Sequence, residues 1–82
     1  MKKVYRVSQS EDTQKVYCHF SKDNGKSWDL VSQDAKENGR SMMGEAVALC
    51  LQSKNDFGNK NVELWIDDSI QLCSIVGVVI KF

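Results

Sequence analysis

The sequence predicts an α+β domain: a mostly antiparallel sheet of about five strands with one helix packed on one face, in the order βββ-α-ββ. Three observations carry this reading. Period-two alternation of apolar and polar residues recurs in short stretches, several of them rich in β-branched and aromatic side chains. Only one stretch carries its apolar residues at helical spacing. The composition is that of a globular chain: 82 residues, 41% apolar, 27% charged and no proline. At this length the chain forms one domain, 1–82, near the lower end of what folds around a single core.

Residues 3–9, KVYRVSQ, place Tyr5 and Val7 on a face opposite Val4 and Arg6. Ser10-Glu11-Asp12-Thr13 forms a polar turn. Residues 14–21, QKVYCHFS, put Val16, Cys18 and Phe20 on one side and Tyr17 and His19 on the other. The stretch Asp23-Asn24-Gly25 supplies turn chemistry, since Asp bonds forward to backbone amides while Asn and Gly tolerate positive φ. Trp28 and Leu30 then alternate with Ser27 and Asp29 as a third strand, so 14–31 reads as a hairpin. From Ser32 to Gly39 a helical turn and a loop fit equally well. Ser41 is the best N-cap in the chain, and the helix behind it should run from about Met42 to Lys54. Its apolar residues, among them Met42, Met43, Ala46, Val47, Leu49, Cys50 and Leu51, cover a broad arc. Asn55 to Asn61 is a loop. Val62, Leu64 and Ile66 share one face of a fourth strand, with Trp65 between acids on the other. The stretch from Ile70 to Phe82 ends in a nearly continuous apolar run, as expected of a strand covered on both faces or by another molecule. Gly77 inside it marks a bulge or a close backbone approach.

Charge narrows the partners. Eleven basic and eleven acidic residues cancel, and both signs are dispersed. That argues against a phosphate-gripping surface, which needs a basic stripe. The start, MKKVYRVSQS, has no apolar segment behind its basic pair, and the longest apolar run is too short to span a bilayer. Cys18, Cys50 and Cys73 have no metal or disulfide spacing and read as buried thiols in a reducing, cytoplasmic setting. No cofactor loop or metal motif is present in the sequence.

One stretch is specific. Ser21 to Trp28 reads SKDNGKSW, matching S-x-D-x-G-x-[ST]-W. It resembles the Asp box found on the blades of sialidases and related propellers. The resemblance implies a folding device in which Ser21 and Asp23 organise the turn, Gly25 allows it and Trp28 packs beneath it. It covers eight residues only, and a propeller would need several blades of about forty residues each. Sialidase-like catalysis also needs an arginine cluster, whereas Arg6 and Arg40 are the only arginines. The box is therefore expected to be structural. On size and element order, the whole chain resembles the small inhibitors carried by phages and mobile elements, such as anti-CRISPR proteins. That resemblance implies a bacterial immune nuclease complex as the target.

The remaining candidates are few. Asp56-Phe57-Gly58 spells the kinase magnesium triplet without any of its companions and is read as a loop. His19, the only histidine, cannot pair with Cys18 along a strand, although it could meet Cys50 or Cys73 across the fold. Glu63, Asp67 and Asp68 surround Trp65 as a solvated strand end, or as a site for a cation or a basic partner. Tyr17, His19 and Trp65 are expected on the sheet face away from the helix. There they form a recognition surface, or lie under the final strand or a second subunit. The expected function is a non-enzymatic binding or inhibitor protein, homodimeric, acting through protein–protein contacts. Two alternatives stand beside it. One is a nucleic-acid-binding module using Tyr17, Trp65 and nearby lysines. The other is a small ligand-binding or hydrolytic domain using His19 and Cys18, or Asp67 and Asp68.

Overall fold

The computed structural model describes residues 2–56, 61–70 and 77–82. Strand β1 spans Lys3–Gln9, β2 Val16–Ser21 and β3 Asp29–Asp34. A 3-10 turn at Lys36–Asn38 leads into helix α1, Gly39–Asp56, followed by β4, Val62–Ile66, and β5, Val78–Lys81. The five strands form one sheet in the order β3-β2-β1-β4-β5, with α1 across one face. This is the α+β arrangement βββ-α-ββ expected from the sequence. Strand pairs β1–β2, β2–β3 and β4–β5 are antiparallel, while β1–β4 is parallel. The parallel pair follows from the helix. Strands β3 and β4 run in the same direction, and a return in the same direction needs a long crossover, here α1.

Side-chain alternation sorts the sheet into two faces. Tyr5, Val7, Val16, Cys18, Val62, Leu64 and Ile66 meet Met42, Ala46 and Cys50 of α1, and Ile70 closes one end. The contact stripe on α1 runs Met42, Ala46, Cys50 and Ser53, the spacing of one helical face. Ser53 is buried because its hydroxyl shares a 3.0 Å hydrogen bond with the Tyr5 hydroxyl, tying helix to central strand. Met43, Val47 and Leu49 are partly buried against this core, whereas Leu51 is exposed. The wide apolar arc read from the sequence is thus wider than the sheet covers.

Three boundaries differ from the sequence reading. The helix starts at Gly39, so Ser41 lies within its first turn and is not an N-cap. The 3-10 turn feeds straight into the helix through Gly39, which already has helical φ −60° and ψ −37°. Asp34 supports this entry: its carboxylate accepts from the Ala35 amide at 2.7 Å and from the Asn38 side chain at 3.0 Å. Strand β3 extends to Asp34, so the first three residues of the ambiguous 32–39 stretch are strand. An extra residue there, Val31, falls where Cys18 pairs with Ser32 but His19 pairs with Leu30, a β-bulge. At the C-terminal end, Val78–Lys81 is an exposed edge strand rather than one covered on both faces. Gly77, at φ +67°, donates its amide to the Ile66 carbonyl at 2.7 Å and turns the chain into β5. Residues 71–76, with Cys73 and the first two residues of the apolar run, Ile75 and Val76, and Phe57 and Gly58 of the kinase-like triplet lie outside the described residues.

Candidate functional site

The sheet face away from α1 carries Val4, Arg6, Tyr17, His19, Ser21, Glu63 and Trp65, and the loop from Ser21 to Trp28, the box, folds onto it. The loop is built on Ser21 and Asp23. The Ser21 hydroxyl donates to Asp23 Oδ1 at 2.7 Å and accepts from the Gly25 amide at 2.8 Å. Asp23 Oδ1 also accepts from the amides of Lys26 and Ser27, at 3.1 and 2.9 Å, and Oδ2 accepts from the Ser27 hydroxyl at 2.6 Å. These bonds, led by those from the Ser27 and Ser21 hydroxyls, hold the Asp23 carboxyl well below the usual carboxylate range. Asn24 and Gly25 take φ +70° and +89°, closing the turn.

This network positions Trp28. Its ring meets Trp65 edge to face, with centroids 5.6 Å apart, and the Arg6 guanidinium carbon sits 4.3 Å from the Trp28 ring centre. Gly25 lies against Trp65 so closely that a Cβ there would fall 2.9 Å from indole Cη2. Trp65 is therefore covered by the box, a role the sequence left to the final strand or a second subunit. Arg6, at the centre of the face, escaped sequence reasoning as a site residue. The available signal was parity, which places it opposite Tyr5 and Val7.

Glu63 is buried yet charged, because both carboxylate oxygens are occupied. Trp65 Nε1 donates to Oε1 at 3.0 Å and Lys2 Nζ lies 3.1 Å from Oε2. The Trp65 bond, then Lys2, holds its pKa below the ordinary value against the opposing effect of burial. Asp67 joins neither bond, and its Oδ2 accepts from the Ser69 amide at 3.1 Å. Glu63, Asp67 and Asp68 do not converge, and no group of three or more His, Cys, Asp or Glu fit for a metal occurs among the described residues.

His19 pairs with Arg6 across β1–β2 and lies 6.2 Å from Tyr17, ring centre to ring centre. Its Nδ1 and the Nε of Arg6 are both buried without a hydrogen-bond partner. Burial, with Arg6 adding repulsion, lowers the His19 pKa from 6.5. Tyr17, His19 and Trp65 do share the face away from the helix, and all three are half-buried rather than fully exposed. Cys18 and Cys50 sit in the core on the helix side, so His19 meets neither thiol. Burial pushes Cys18 up to about 11, helped by Glu45, and Cys50 up to about 12, helped by Cys18. Thiols held neutral in this way are poor nucleophiles at pH 7.

Exposed apolar surface gathers instead at the two sheet edges. Leu30 and Val31 stand out from β3, and Val78, Val79 and Ile80 from β5. Beside β3, the residues Val31, Ser32, Glu45, Ala48, Leu49 and Gln52 line an open groove of about 350 Å³ between strand and helix. Beside β5, a cleft of about 330 Å³ is lined by Arg6, Trp65, Asp67, Asp68, Gly77 and Val79 with their neighbours. Among the described residues, no helix is long and apolar enough to cross a membrane.

Comparison with protein-family models, with curated proteins and with solved structures finds no significant match to this chain.

Proposed function

We propose that this chain is a non-enzymatic binding protein that acts through protein–protein contacts, with the β3 edge and the adjoining face of α1 as the surface offered to its target. The observation that carries the reading is the groove between β3 and α1. It combines exposed Val31 of β3 with Ala48 and Leu49 of α1. A small chain that leaves this much apolar surface beside a strand edge gains from covering it with a partner. The back face supports the same division of labour. Its most specific motif, the Asp box, spends Ser21, Asp23, Gly25 and Trp28 on closing the fold.

The narrower reading is an inhibitor of a bacterial defence complex, of the kind phages and mobile elements carry. Its support is the size of the chain and the βββ-α-ββ order. Affinity capture from bacterial lysate tests both levels. The native chain should retain a protein at near-stoichiometric level, and Val31→Glu with Ala48→Glu should lose it while keeping the native circular dichroism. Retention of no protein, or equal retention by the double variant, contradicts the proposal. The identity of the retained protein, a nuclease complex or not, decides the narrower reading.

A further inference from the structure

We infer that β5 pairs antiparallel with β5 of a second copy about a two-fold axis, locked by Lys81 of each copy against Asp68 of the other. The inference goes beyond the target-binding surface and uses the opposite edge of the sheet.

No described strand pairs with the outer side of β5. The Phe82 amide donates to the Val62 carbonyl at 2.9 Å, which fixes the alternation along the strand. Val78, Ile80 and Phe82 bond inward to β4, so the amides and carbonyls of Val79 and Lys81 face outward. The strand also lacks the usual protections of an edge. It has no proline, no inward-pointing charge and one lysine, whereas β3 is guarded by Asp29, Asp34 and a bulge.

Two features choose a second copy as the occupant. The first is charge. Lys81 stands opposite Glu63 in the β4–β5 register and adds to the positive field on it, but among the described residues the close ion pair to Glu63 is made by Lys2. Among the described residues, the cleft beside Val79 is lined by one cation, Arg6, and two acids, Asp67 and Asp68. It is therefore short of one positive charge, and the same chain carries that charge two residues along the strand. The second is register. A two-fold through Ile80 pairs Val79 with Lys81 of the second copy, so each outward group finds a partner and like charges do not face each other. Lys81 of the second copy then lies opposite Val79 on the cleft side. Asp68 stands over Gly77, with its Cβ 3.9 Å from where a Cβ on Gly77 would be. Two strand residues span about 6–7 Å, within reach of a lysine side chain. On the helix face the same register sets Ile80 against Ile80 and Val78 against Phe82, extending the apolar core across the axis. Sliding the register so that Lys81 meets Gly77 wastes a bond, since the Gly77 amide is already given to Ile66.

A four-residue strand covers less than the roughly 1,200–2,000 Å² of a stable interface, so the pairing is expected to be weak, with a dissociation constant on the order of tens of micromolar. Sedimentation equilibrium on the purified chain tests this apart from any target. The expected result is a reversible monomer–dimer equilibrium in that range. Lys81→Glu or Asp68→Lys alone should weaken it roughly tenfold, and the two together should restore it. Val79→Pro, which removes an outward amide without touching the β4 ladder, should abolish it with the circular dichroism unchanged. A monomer well above that range, or charge variants that weaken association with no restoration in the pair, would overturn the inference.

Discussion

Replacing Gly25 with alanine perturbs the box in two separable ways. The residue sits at φ +89°, where an L side chain costs about 1–2 kcal/mol. Its new Cβ would also stand 2.9 Å from Trp65 Cη2 and 3.2 Å from Cζ3, forcing the indole to move. Overpacking of this kind costs about 1–3 kcal/mol. The sum, about 2–5 kcal/mol, is a large share of the 5–15 kcal/mol that holds a typical domain together. Urea denaturation followed by circular dichroism measures it. The decisive comparison is the same substitution in a Trp65→Phe background, which lacks the two ring atoms in the way. There only the backbone cost, about 1–2 kcal/mol, should remain. A Gly25→Ala cost below about 0.5 kcal/mol, or a cost equal in both backgrounds, would refute the packing of the box on Trp65.

Other consequences follow from the same contacts. Asp23 has a folded pKa below its ordinary value of 3.8, so its contribution is full above that pH and is lost as pH falls through the folded value. Native stability should drop on acidification below pH 3.8, and Asp23→Asn should be less stable at pH 7 with a shallower acid loss; an unchanged slope contradicts the network. The His19 pKa is also lowered, but for a cation-forming group, so stability is full above 6.5 and declines as pH falls below it. His19→Gln should flatten that segment of the pH–stability curve, and an identical curve argues against a neutral, partly desolvated imidazole at position 19. Cys18 and Cys50 should react with a thiol reagent only at the rate of unfolding, and fast labelling of either in the native protein contradicts their burial. Tyr5→Phe should cost about 1–3 kcal/mol in urea denaturation by stranding the buried Ser53 hydroxyl.

The parts of the fold legible in the sequence are those set by local periodicity. Tyr5 with Val7, and Val62 with Leu64 and Ile66, declare their face by alternation alone, and Ser21 to Trp28 declares its turn by residue type. What escaped depends on the partner of each element. Ser41 looks like a cap in isolation, but a 3-10 turn upstream had already begun the helix. The apolar Val78–Ile80 stretch looks buried, but its place at the sheet edge is set by strand order, which no window of sequence contains. Arg6 reads as one charged residue on a strand until Trp28, twenty-two positions away, folds over it. The candidate residues divide in the same way. Ser21, Asp23, Gly25 and Trp28 could be assigned their roles from the motif, whereas the coupling of Glu63 to Lys2 and Trp65 needed the sheet register.

The account holds that the box builds the fold while the β3–α1 groove meets the target. Capture by the Asp23→Asn chain and by the Val31→Glu chain, side by side at a temperature where both are folded, tests this most directly. Asp23→Asn should retain the partner of the native chain and Val31→Glu should lose it. Loss with Asp23→Asn and retention with Val31→Glu would make the box the site and contradict the account.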